Sequence, residues 1–284
     1  MKYLILILTS VSFAVITCLL IANANIANST IQLPYQAPKY DGTFPVVSVS
    51  FDHGFYSQIN PMLYMANDNF SGGIWVVTNR TIYQNPNLFP WYVLSKFYNM
   101  GWSLDSHSQH HKIENSLLPN STLYSEVVDS KQDLELHDFT ICGFVPPGNI
   151  SYPYSQYLIG HNYNYSTFEA VFQNTPGDIA YYKHIYGIPW LRIMSVGDTD
   201  PHNLGYLQNF TIIKQQIDYA TSHKNWLIIH FHDIINGTYP TYYNFQYPTQ
   251  FSTYKQTIDY LKQQSDSGLL RVETEPQALG MTHC

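Results

Sequence analysis

Val46-Val47-Ser48-Val49-Ser50-Phe51 runs into Asp52-His53-Gly54, and Trp226-Leu227-Ile228-Ile229 runs in the same way into His230-Phe231-His232-Asp233. Short β-branched and aliphatic runs of this kind read as buried strands. Working outward, Ile74–Thr78, Trp102–Ser106, Phe144-Val145, Pro189–Met194 and Leu269–Val272 read as further strands. Helices alternate with them: Ile59–Asn67, Trp91–Met100 closed by Gly101, Ser121–Asp138, Leu207–His223 and Tyr254–Gln264. The clearest is Leu207–His223, whose Leu207, Phe210, Ile213, Ile217 and Ala220 share one face. Alternation sustained over about 240 residues implies a largely parallel sheet, most economically a closed α/β barrel in a single domain.

Composition narrows the function. With 45% hydrophobic residues in 284, a large core is affordable and global disorder is excluded. The 13 basic and 20 acidic residues give a net charge of −7 with no Lys/Arg cluster, which excludes a surface that tracks nucleic-acid phosphates.

Lys2 and the apolar run Tyr3–Ala22, ending in Ala22-Asn23-Ala24, read as an export signal over residues 1–24. The run is also long enough to be an uncleaved membrane anchor. A linker over 25–41 then leads to one catalytic-sized domain, 42–284. Either reading puts the body outside the cytosol, secreted or anchored at the cell surface. Outside the leader only Cys142 and Cys284 remain, either one disulfide or two separate thiols. Asn-x-Ser/Thr sequons are more frequent than composition predicts; Asn79, Asn120, Asn209 and Asn236 are the glycosylation candidates.

In α/β barrels, functional side chains gather past the C-terminal ends of the strands. Those positions hold Asp52-His53, the run Ser106-His107-Ser108-Gln109-His110-His111, and His230-Phe231-His232-Asp233. His107 and His111 are spaced for a shared divalent metal, and His53 or Asp52 completes a three-ligand set with an open position for water. His230, on the same strand face as His232, either lines the barrel or packs in it.

These residues resemble a family, the NodB-type polysaccharide deacetylases, a group of metal-dependent carbohydrate esterases. Ser50-Phe51-Asp52-His53-Gly54 is similar to their Thr/Ser-Phe-Asp-Asp-Gly motif, and His107-Ser108-Gln109-His110-His111 to His-Ser/Thr-x-x-His. Phe144-Val145-Pro146-Pro147-Gly148-Asn149 stands for the third, Pro-rich motif, and Leu227–Asp233 for the last, an aliphatic strand ending in His. The resemblance implies a deformed (β/α) barrel of the polysaccharide deacetylase type. It makes Asp52 the general base, His232 the general acid, and His53, His107 and His111 the metal ligands. His53 stands where the family has Asp, a change that suits zinc. Val145 stands where the family often has Arg, so Arg192 is a candidate substitute and Asp198 a candidate partner for His232. Pro146, Trp190, Arg192 and His230 are expected to bind or support substrate, with Trp102, Trp190 and Trp226 as sugar-stacking faces.

The implied activity is hydrolysis of N-acetyl or O-acetyl groups on a cell-surface or extracellular polysaccharide. The alternatives are a secreted glycan-binding pseudoenzyme on the same barrel, a metal-dependent amidase on a non-sugar C–N bond, and a structural surface glycoprotein.

Overall fold

In strand β1 (Val46–His53) every residue is buried, because both of its faces are covered. Val47, Val49 and Phe51 point into the layer between strands and helices, whereas Val46, with Trp75 and Trp226, belongs to a second cluster inside the barrel. The computed structural model describes residues 39–79, 88, 90–112, 117–148, 152–170, 172–197, 207, 209–237, 248–281 and 284. The leader at 1–24, most of the linker, Asn149 and Asp198 lie outside the described residues. Among the described residues no helix is long and apolar enough to cross a membrane.

Six further strands follow in order: β2 (Gly73–Val76), β3 (Ser103–Ser106), β4 (Gly143–Phe144), β5 (Tyr165–Glu169), β6 (Trp190–Val196) and β7 (Trp226–Phe231). Each lies parallel to the one before, and β7 pairs back onto β1 from Val46↔Trp226 to Phe51↔Phe231, closing the barrel. The two-residue strands β8 (Ile234–Ile235) and β9 (Thr249–Gln250) pair separately. A last short strand, β10 (Arg271–Val272), pairs with Val46 and Val47, below the point where β2 joins β1 at Ser50↔Gly73. The wall is thinnest at β4, which meets β3 only at Ser106↔Phe144.

Helices cover the outside. Ile59–Asn67 is α1 and Trp91–Asn99 is α2. Then α3 (Asn120–Tyr124), a π-helical stretch (Ser125–Asp129) and α4 (Ser130–Glu135) follow without a break. Pro153–Asn162 is α5, Pro176–Tyr186 α6, Phe210–His223 α7, Phe251–Asp266 α8 and Glu275–Ala278 α9. Asn209 caps α7, its side-chain oxygen accepting from the Ile212 amide at 3.1 Å, so the helix starts three residues after the expected Leu207.

The barrel interior is polar for its depth. Asp105 Oδ1 accepts from Tyr165 Oη (2.7 Å) and Gly143 N (3.0 Å), and Glu275 accepts from Ser50 Oγ. Gly143 is glycine because a Cβ there would collide with Asp105 and Tyr165. Burial, with the neighbouring Glu275, pushes Asp105 up to about 8. Cys142, one residue before β4, is joined to Cys284 by a disulfide with Cα atoms 5.9 Å apart.

Candidate active site

Asp52 and His53 sit where β1 ends. His53 has a left-handed backbone (φ 65°) and donates its amide to Asp52 Oδ1 at 2.9 Å. Buried Gln58 fixes this end: its Nε2 donates to the carbonyls of Asp52 (2.7 Å) and His232 (2.8 Å), tying the tips of β1 and β7 together. The loop after β3 carries His107 and His111, with Ser108 (φ 64°) and His111 (φ 57°) also left-handed. Such conformations cost on the order of 1–3 kcal/mol each and persist only where the surroundings hold them.

The closed barrel brings Asp52, His53, His107, His111, His230 and His232 into one cluster. Donor atoms of His53, His107 and His111 lie within 4.8 Å of one another, with ring centroids 4.5–5.1 Å apart. Asp52 lies beside them, Oδ1 at 3.1 Å from His107 Nε2 and Oδ2 at 3.1 Å from His232 Nε2. Burial opposes its charge, yet His107, His53 and His232 hold it well below the usual carboxylate range. Burial and the adjoining imidazoles hold His53 well below its ordinary value and bring His111 to about 4, in both cases against Asp52. Burial thus favours the neutral form of both rings, the form that ligates a metal.

A divalent ion fits this donor set. His107 Nδ1 donates to the Val145 carbonyl at 2.7 Å, which orients the ring with Nε2 toward the cluster. That nitrogen is buried, makes no hydrogen bond, and faces a carboxylate oxygen. A cation bound beside them would give that nitrogen a partner. Three imidazoles with one open position are a common catalytic zinc set.

His230 is buried between Trp75 (ring centroids 4.7 Å apart) and His232 (5.1 Å), with Glu169 Oε1 3.7 Å from its Nε2. Burial brings it to about 3. Glu169 ends β5, a strand that sequence reasoning missed, and burial, aided by Asp52, raises its carboxyl. Pro146 is buried directly after Val145.

Other expectations are corrected. Arg192 does not reach Asp52. It pairs with Asp178 at 2.9 Å, donates to the Gln173 carbonyl, and lies over the Tyr182 ring, against α6 on the outside of the barrel. Trp190, two residues earlier, shares that face and packs on Tyr186. Trp102, Trp190 and Trp226 are all buried in packing, so none offers a face to a sugar. Among the sequons, Asn120, Asn209 and Asn236 are exposed, whereas the Asn79 amide nitrogen donates to His110 Nε2 at 2.8 Å.

No protein-family model matches the sequence, and no curated protein matches it. Solved structures do. One is a peptidoglycan N-acetylglucosamine deacetylase, 9% identical, covering 89% of this chain and 99% of that one, with a TM-score of 0.55. Another is a family 4 acetyl xylan esterase from Clostridium thermocellum in complex with a cobalt ion, 13% identical, covering 82% and 89%, TM-score 0.51. A third is a mutant of a CE4 family pseudoenzyme with restored enzymatic activity, 11% identical, covering 87% and 73%, TM-score 0.50. The barrel is of the CE4 deacetylase type. At these identities the likeness is one of fold, and the chemistry of this CE4-type barrel must be argued from its own residues.

Proposed function

We propose that the chain is a metal-dependent hydrolase that removes acetyl groups from the nitrogen or oxygen of a polysaccharide. The observation that carries this is the Asp52 carboxylate, held between His107 and His232 at 3.1 Å each, beside three clustered imidazoles. His53, His107 and His111 would hold the ion, which when bound supplies Lewis-acid polarisation of the acyl oxygen and a lowered pKa for water. Zinc suits three nitrogen donors best. Asp52, kept ionised by the surrounding histidines, accepts the proton of the attacking water. His232 holds a proton at Nε2 against Asp52 Oδ2 and delivers it to the departing nitrogen or oxygen, so that acetate and the free sugar group leave. The leader at 1–24 supports action outside the cytosol, where exposed Asn120, Asn209 and Asn236 would be available for glycosylation.

One observation favours the pseudoenzyme reading. His53 and Val145 replace the motif residues Asp and Arg, and no Arg among the described residues takes the second role. Acetate release decides between the two. Zinc- or cobalt-loaded protein is incubated with acetylated chitin-like, peptidoglycan-like and xylan-like glycans, beside His107→Ala. Release that is lost in the variant supports the hydrolase; glycan binding without release supports the pseudoenzyme.

A further inference from the structure

We propose that Glu126 sets the metal affinity of the histidine cluster, acting as a positioning residue on the loop that carries His107 and His111. The inference rests on the metal reading above and names the residue that governs it.

Glu126 is fully buried on the π-helical stretch, a helical irregularity that recurs at functional sites. Both of its oxygens are committed to one residue of the loop. Oε2 accepts the His110 amide at 2.7 Å and Oε1 accepts His110 Nδ1–H at 2.8 Å, with Lys112 Nζ 3.8 Å away. His110 Nε2 in turn accepts from Asn79, three residues past the end of β2.

The same helical rod grips the loop a second time. Asp133 accepts from Thr78 Oγ1 (2.8 Å) and Gln109 Nε2 (3.0 Å), and Ser125 Oγ donates to Gln109 Oε1. Gln109 and His110 lie between the two left-handed residues, Ser108 and His111. Strain of that kind relaxes unless neighbours over-determine it, and relaxation would carry the His111 ring away from His53 and His107. Bonds to a buried carboxylate restrain the loop more firmly than bonds to a neutral acceptor would. Glu126 thus stands outside the ligand set yet fixes its geometry.

The test is zinc affinity, measured by competition with a chromophoric chelator on full-length folded protein, together with the melting temperature of the metal-free form. Glu126→Gln keeps the shape but cannot accept both bonds. A dissociation constant raised about 10–100-fold is expected, as for other residues that orient metal ligands. His110→Gln removes the side-chain half of the contact and is the second variant should the first fail to fold; a smaller loss in the same direction is expected. A purely structural Glu126 would lower the melting temperature and leave zinc affinity at the wild-type value, which overturns the proposal. Wild-type protein that binds no zinc at all overturns the metal reading, and this inference with it.

Discussion

The Asp52 carboxylate and the His107 ring meet at 3.1 Å, with the far nitrogen of that ring already committed to the Val145 carbonyl. One side of the imidazole is therefore fixed by the residue that follows β4, and the other lies beside the carboxylate proposed as the base. Changing the two partners one at a time distinguishes metal binding from chemistry.

Asp52→Asn is expected to retain bound metal while acetate release falls about 10²–10⁴-fold, the usual range for a general base. His107→Ala is expected to lose both. Elemental analysis beside an acetate assay checks this, and an Asp52→Asn protein with the wild-type rate would remove Asp52 from the mechanism.

His53 occupies a left-handed backbone position that Asp also tolerates. His53→Asp is therefore expected to fold and to hold an ion, whereas His53→Ala should weaken cobalt binding at least tenfold. Cobalt absorption spectra report the change of donor. Unaltered affinity in His53→Ala would show that the ring is no ligand.

Arg192→Ala is expected to leave turnover unchanged. Its partly buried pair with Asp178 lies on the outer face, so the loss is one of stability, about 1 kcal/mol and a few degrees of melting temperature. A large fall in kcat would contradict its position in β6.

Glu273 gives a pH dependence remote from the metal site. Burial pushes its carboxyl up to about 7 from the ordinary 4.5, against the attraction of Arg271 at 3.2 Å. The folded state thus binds the proton more tightly than the unfolded state. This contribution to stability is fully present below about pH 4.5 and disappears as pH rises through 7. Glu273→Gln should flatten the decline between those values, by roughly 1–3 kcal/mol. Urea titrations of both proteins across that interval measure it, and parallel curves would refute it.

The strands with aliphatic runs were legible in the sequence, and Val46–Phe51 and Trp226–Phe231 announce themselves. β5 did not: Tyr-Ser-Thr-Phe-Glu has no aliphatic run, and its neighbours α5 and α6 show no one-sided apolar stripe. The histidines and Asp52 were legible because strand ends converge in any such barrel. Glu126, Gln58 and Glu169 were not, since their partners lie on distant elements. A signal for Glu126 existed, a lone acidic residue on the apolar face with Leu123 and Val127. Arg192 was misplaced for want of parity: Leu191 and Ile193 face inward, which turns Trp190 and Arg192 out.

The pairing of β1 has a consequence for the order of assembly. This early strand takes its neighbours from β7 along one edge and from β10 along the lower part of the other. A growing chain therefore carries one edge of Val46–Phe51 unpaired until Trp226–Phe231 has been synthesised, and the other edge of Val46-Val47 unpaired until Arg271-Val272 has followed. Contacts so far apart in sequence form slowly, and such edges invite aggregation meanwhile. Truncation before Trp226 should yield no smaller barrel, only an open sheet in need of a chaperone.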